Sequence, residues 1–237
     1  MVLADFYRQN DNSILFSREQ ASRFAKEIAN DYNPLHDVDA KMFCVPGDLL
    51  FSVALDRLGL SQQMRFTFSG MVSDQAVVFP ETDAERIDVT DDNGKCYLTI
   101  ERSGGITHDS RLIEQLAKDY VAFSGKTFPH LLVPLMSEQG VMINPARPLV
   151  IYQQMEIHLE RLDLTNPTLE SAGSAFEVLG KKGTVQLDFF INDQGERVGH
   201  GAKYMSLRGL QPFDSEAMAR LVEDYDGYKL KYQRAGA

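Results

Sequence analysis

The chain has 237 residues, of which 43% are hydrophobic and 24% charged, the composition of a folded globular protein rather than a disordered one. Its formal net charge is −10, from 34 acidic against 24 basic residues, which argues against nucleic acid or an anionic membrane as main partner; no apolar run approaches the length of a membrane span. An anionic small molecule needs only a local basic patch, to which Lys181, Lys182, Arg65 or Lys126 can contribute.

Two cysteines, Cys44 and Cys96, make no disulfide framework, and the opening MVLADFYRQN has no long apolar core of the signal-peptide kind. The expected setting is a reducing cytoplasm.

From Ser17 to Gln20 the sequence has the form of a capping box, and Ala21, Phe24, Ala25 and Ile28 then share one helical face. Asn33 precedes Pro34, a position pushed out of helical conformation, so this helix is predicted to end near Asp31 or Tyr32. Pro46 opens a second helix through Leu49, Leu50, Phe51, Val53, Ala54, Leu55 and Leu58, with Gly59 as its stop. Being apolar almost all round, it is predicted to be buried. Strand signals follow at Phe66–Phe68, Ile87–Val89 and Tyr97–Ile100, with Asp92-Asn93-Gly94 as a hairpin turn.

The second half begins again with a helix, capped by Asp109 or Ser110, carrying Leu112, Leu116, Tyr120 and Phe123, and stopped by Gly125. The segment FPHLLVPLMSEQG echoes VPGDLLFSVALDRLG, with a Leu-Leu pair at equal spacing after proline, and marks a buried helix near residues 130–140. Pro134 would disturb such a helix if it began at Pro129. Alternation over Leu149–Leu159 and Val185–Ile191 predicts two strands, with turns at Gly180–Gly183 and Asn192–Gly195. A last helix is predicted from Ser215 to about Tyr225, followed by a polar tail. The implied fold class is α+β: two similar halves, 1–105 and 106–237, each an antiparallel sheet wrapped around a buried helix.

Asp31-Tyr-Asn33-Pro34-Leu-His36, followed by Val45-Pro46-Gly47-Asp48-Leu-Leu, resembles the signature of the MaoC-like (R)-specific enoyl-CoA hydratases. The D-x-N-P-L-H core matches without gaps. The resemblance is sharp over residues 16 to 58, and a chain of two halves with one surviving motif is also like the double-hotdog hydratases. It implies a hotdog fold, an acyl thioester substrate, and Asp31 and His36 as the pair that activates water. Asn30 stands where that family has Gly, Pro46 where it has His, and Asp48 where it has an apolar residue.

The chemistry asks for these residue types. Hydration of an enoyl thioester needs a water held and deprotonated, and a proton delivered to the α-carbon. A carboxylate and an imidazole gripping one water do both. Asn33 can hold the turn, and the start of the buried helix at Pro46 and Gly47 offers N–H donors to the developing oxyanion. Asp48 suits the helix dipole but puts negative charge beside that oxyanion site. The same features leave two alternatives: a non-catalytic protein that binds an acyl ligand, and a hotdog thioesterase using Asp48.

Elsewhere the bland assignments prevail. Cys44, between Phe43 and Val45, is a small buried thiol; His158, on the polar side of a strand, is solvated; His130 is the second half's counterpart of Asp48. No Cys/His cluster has metal-ligand spacing and no phosphate-binding loop is present, so neither metal nor cofactor is expected. A chain with both halves can be a monomer or a homodimer.

Overall fold

The computed structural model describes residues 3–235. Among these residues twelve strands occur in chain order: β1 (Arg8–Asn10), β2 (Ser13–Leu15), β3 (Leu60–Phe68), β4 (Val77–Val78), β5 (Arg86–Thr90), β6 (Cys96–Thr107), β7 (Val141–Met142), β8 (Val150–Leu159), β9 (Pro167–Leu179), β10 (Lys182–Asp193), β11 (Glu196–Arg208) and β12 (Gln211–Pro212). Ten of them form one antiparallel sheet in the order β1-β2-β4-β5-β6-β3-β8-β11-β10-β9. Strand β3 pairs with β8, so the sheet runs unbroken from β1 to β9.

Among the described residues there are five α-helices: α1 (Arg18–Arg23, continued by a π-helical turn, Phe24–Ile28), α2 (Gly47–Leu58), α3 (Ser110–Ser124), α4 (Leu132–Glu138) and α5 (Ser215–Ala235). The architecture is α+β, with helix α2 buried against one antiparallel sheet. Leu49, Leu50, Val53 and Ala54 of α2 are all at most 2% exposed, as the all-round apolar pattern requires. They share one core with Phe66 and Ile100 of the sheet and with Leu116 and Tyr120 of α3. A second core gathers Leu132 and Met136 of α4 with Val185, Leu187 and Leu207. No helix among the described residues is long and apolar enough to cross a membrane.

Several boundaries differ from expectation. The first helix ends at Ile28, not near Asp31 or Tyr32. Its terminator is Asn30, at φ +52°, with Asp31 N–H bonding back to the Ala25 carbonyl at 2.8 Å. Helix α2 takes Gly47 as first residue, with Pro46 as the flanking cap. Helix α4 starts at Leu132, after Pro129 rather than at it. Pro134 therefore falls in the first turn, where its missing N–H costs no helical bond. Strands β9 and β11 had not been foreseen. The tail beyond Tyr225 is not an irregular segment: α5 continues through it to Ala235.

Candidate functional site

The motif residues sit where the exit of the first helix, the start of α2 and the end of α3 converge. Because Asn30 is left-handed, the backbone turns away from the helix axis and Asp31 leaves it pointing into a cleft. Among residues with a side chain, Asn and Asp are the ones that visit this conformation routinely, so Asn30 can hold the turn. Asp31 Oδ1 then accepts the Asn33 N–H at 2.9 Å, and Asn33 Oδ1 accepts the Leu35 N–H at 3.1 Å. These two bonds, with Pro34 as first residue, wind the 3₁₀ turn Pro34–His36.

That turn delivers His36 beside Asp31. The ring nitrogen Nδ1 lies 2.7 Å from the Cys44 carbonyl. A carbonyl oxygen only accepts, so Nδ1 carries the proton, and in the neutral ring Nε2 presents a lone pair. Nε2 faces Asp31 Oδ2 across 3.7 Å. That separation is too long for a direct hydrogen bond and brings two acceptors together. One water donating a proton to each fits such a gap. The Asp31 side chain is 35% exposed and that of His36 11%, so the pair stands at the lip of the cleft.

Below the lip begins α2. The Pro46 carbonyl accepts the Leu49 and Leu50 amides, at 3.0 and 3.2 Å, leaving the amides of Gly47 and Asp48 without a partner among the described residues. Gly47 is needed for space: a Cβ there would stand 2.6 Å from the Tyr152 ring, which packs over the helix start. Tyr152 is placed by an irregularity in β8, where Tyr152 pairs with Met205 and Gln154 with Tyr204, leaving Gln153 as a bulge.

Asp48 is not a solvated first-turn charge. It is 6% exposed, its Oδ2 accepts the Ser124 hydroxyl at 2.6 Å, and its Oδ1 has no partner. Lys203, also buried, donates to Ser124 Oγ and lies 4.4 Å from the Tyr152 ring centre. The Tyr152 and Tyr120 hydroxyls bond each other. Burial pushes the Asp48 carboxyl above its ordinary range, with Lys203 and the Ser124 hydrogen bond opposing the rise. Burial also pushes the Tyr120 and Tyr152 phenols well above theirs, so both act as neutral groups.

All six residues singled out in the sequence (Asp31, Asn33, His36, Pro46, Gly47 and Asp48) line one cavity of about 590 Å³. Its remaining wall is largely apolar and comes mainly from the second half, including Phe128, Leu132, Ile143 and Met205. Sequence reasoning missed Ser124, Tyr152 and Lys203. The only signal was a lysine in the run Ala202-Lys-Tyr-Met-Ser-Leu, a segment where neighbouring residues are buried.

Helix α5 closes one side of the cavity. Tyr225 and Tyr228 line it, and with Tyr232 they surround the Tyr32 ring at 6.0, 6.2 and 5.9 Å. The Tyr225 oxygen accepts the Tyr32 N–H at 3.2 Å, and the Tyr228 hydroxyl donates to Asp37 at 2.9 Å. Asp37 also pairs with the buried Lys26 at 2.7 Å. Burial, followed by the Asp37 hydrogen bond, pushes the Tyr228 phenol up to about 12.

The other candidates stand apart. Burial pushes the Cys44 thiol up to about 12, which leaves no thiolate at neutral pH. His130 is exposed, and His158 stacks on His200 at 4.9 Å on the outer face of the sheet. Arg65 is engaged by Glu156 at 2.8 Å.

No curated protein matches the sequence. Among solved structures, similarity extends to the acyl-CoA thioesterase II TesB2 of Mycobacterium marinum, with 11% identity over 88% of this chain and 98% of that one and a TM-score of 0.41. A hot dog fold protein of Alicyclobacillus acidocaldarius shares 9% identity over 90% and 99%, with a TM-score of 0.46. A MaoC-like dehydratase shares 13% over 87% and 99%, with a TM-score of 0.42. Likenesses this distant say nothing of the site's chemistry. At the level of sequence the match is broader: residues 1–216 fit the family described as "Protein of unknown function (DUF3581)", and the chain belongs to it.

Proposed function

We propose that the protein adds water to, or removes it from, the double bond of an acyl thioester, with Asp31 and His36 as the acid–base pair. The carrying observation is the 3.7 Å gap between His36 Nε2 and Asp31 Oδ2, with the Cys44 carbonyl fixing the ring so that its lone pair faces the carboxylate. In the hydration direction, a water held between them attacks the β-carbon as one member takes its proton. The pair then returns a proton to the α-carbon. Negative charge gathers on the thioester oxygen, for which the unpartnered Gly47 and Asp48 amides are donors. The largely apolar wall suits an acyl chain. No metal or cofactor is required by these steps. The setting in this reading is the cytoplasm, with a free acyl-CoA or carrier-bound acyl group as partner and no need of nucleic acid or membrane. The chain would act as a monomer or homodimer whose halves are 1–105 and 106–237.

A second reading, thioester hydrolysis, is favoured by one observation. Asp48 Oδ1 is an unpartnered carboxylate oxygen beside the free amides of α2, an arrangement able to aim a water at a thioester carbonyl.

The test follows short- and long-chain enoyl-CoA by loss of the conjugated double bond, and free thiol in the same samples. Hydration without thiol release supports the first reading, and thiol release the second. A folded wild type inert to every chain length sinks both and leaves an acyl-binding protein.

A further inference from the structure

Helix α5 is held along its two halves by different means. Its first half is anchored by apolar contact: Met218 lies in the second core, and Ala217, Leu221 and Val222 pack against that core. Among the described residues none from α5 enters the first core. Its second half instead meets the Asp31–His36 segment through tyrosines, whose rings surround Tyr32.

Two of the hydroxyls make contacts that bracket the pair. The Tyr225 oxygen accepts the N–H of Tyr32, the peptide that leaves Asp31. The Tyr228 hydroxyl donates to Oδ1 of Asp37, the residue after His36. Asp37 is a firm anchor, because the same Oδ1 takes the buried Lys26 ammonium and its own N–H closes the 3₁₀ turn on the Pro34 carbonyl at 3.2 Å. Each contact thus falls on the residue that follows one member of the pair. The spacing between them matters, since a 3.7 Å gap suited to one water is spoiled by a shift of about 1 Å.

We infer that Tyr225 and Tyr228 are positioning residues, through which α5 carries the packing of the second core to the Asp31–His36 segment and fixes the spacing of the pair. This rests on the reading of Asp31 and His36 as an acid–base pair. Neither tyrosine need touch the reacting atoms.

The experiment compares Tyr225→Phe and Tyr228→Phe with wild type. Phenylalanine keeps the ring against Tyr32 and in the cavity wall, and removes only the hydroxyl. Tyr232→Phe is the control, since its hydroxyl meets the exposed Glu27 on the same helix at 3.3 Å. The first readout is native-state amide exchange at Asn33 and Leu35, whose N–H groups bond within the loop and not to α5. It should quicken about tenfold in Tyr228→Phe, which loses a bond to a carboxylate, and about threefold in Tyr225→Phe, while α2 exchanges as before. The second readout is enoyl-CoA hydration, where kcat should fall about tenfold with KM little changed. Tyr232→Phe should match wild type in both. Unchanged exchange at Asn33 and Leu35 overturns the inference whether or not any enoyl-CoA is hydrated. Exchange quickened in α2 as well overturns it, because the hydroxyls would then support the fold at large. Full kcat beside a loosened loop also overturns it. A loosened loop in a protein whose wild type hydrates nothing would remove the proposed reaction and leave α5 as the element that holds the pair.

Discussion

Each half of the molecule buries one aspartate, and the two are held in opposite ways. Asp193, at the end of β10, is 2% exposed; its Oδ1 accepts the Thr165 and Asn166 amides at 3.1 and 2.7 Å and its Oδ2 meets Arg161 at 3.2 Å. It lies near the surface, covered by its donors rather than deeply sunk, and those bonds, the Asn166 amide first, hold its carboxyl below the ordinary range. Asp48 is similarly shielded, yet one oxygen has no donor and burial pushes its carboxyl up. A satisfied carboxylate ties a corner of the fold together. An incompletely satisfied one, facing a cavity, keeps its hydrogen-bonding capacity for something else. The contrast predicts that function concentrates around the first aspartate and stability around the second.

The largest effects should therefore fall on activity at the Asp48 side. Asp31→Asn and His36→Ala should each lower hydration by about 10²–10⁴-fold, the usual contribution of general acid–base groups. Because the two act on one water, the double variant should lose little more than either single one. Melting should hardly move, since the pair stands at a partly exposed lip. Thr127→Val, in the loop after α3, where the Thr127 hydroxyl donates to the Ser124 carbonyl, should cost at most a few-fold. Melting temperatures that fall while activity survives would make Asp31 and His36 a structural pair like Asp193 and Arg161.

Next in size is the joint between those two loops. A Cβ on Gly125 would overlap the Ala29 carbonyl, so backbone meets backbone where the first and third helices end. Gly125→Ala should destabilise by about 3 kcal/mol, at the upper end of overpacking costs. Denaturant unfolding measures it; an unchanged midpoint would show that the loops part freely.

The aspartates themselves come next, and their pH signatures should have opposite sign. Asp193→Ala should cost about 2 kcal/mol at neutral pH, from lost hydrogen bonds to a charged acceptor. Its carboxyl is lowered in the folded state, so that stabilisation is full above the unfolded value of about 3.9 and is lost as pH falls through the folded one. The deficit of the variant should shrink in acid. Asp48 is raised in the folded state, so the folded protein holds the proton longer than the unfolded chain does. Its contribution is present below about pH 3.9 and is lost as pH rises through the folded value. Asp48→Asn cannot titrate, so its melting temperature relative to wild type should rise from pH 4 to 7. A flat difference would mean that Lys203 compensates Asp48 fully.

This division also marks what the sequence made legible. The first-half motif is local: the capping box and the Asn33–Pro34 turn lie within twenty residues and act through backbone bonds, whereas the left-handed turn at Asn30 between them was not foreseen. Helix α2 and strand β10 announced themselves because burial of one face or all faces leaves a period. Strand β9 left none, since most of its residues are exposed and small or polar. Helix α5 was cut short because its inner face is built from Tyr225, Tyr228 and Tyr232 within a run interrupted by Gly227, and its partner is Tyr32 in the other half. The Asp48–Ser124–Lys203 group was invisible because its bonds span 76 and 79 residues, so no local spacing encodes it.

The smallest effect sharpens the local side of that contrast. Asn30 holds φ at +52° just past the end of the first helix. Alanine there pays the left-handed penalty without a side chain that can bond locally, about 1 kcal/mol. In a chain of this length that lowers the melting temperature by roughly 2–4 °C. Asn30→Gly relieves the backbone but gains freedom in the unfolded chain, and the two effects nearly cancel. The order expected in thermal melts is thus Asn30 close to Gly and both above Ala. Activity should follow the same order, because the turn at this residue is what sends Asp31 toward His36. Should Ala match Gly, the left-handed turn is not what holds the loop, and the Asp31–Asn33 and Asn33–Leu35 bonds alone set the position of the carboxylate.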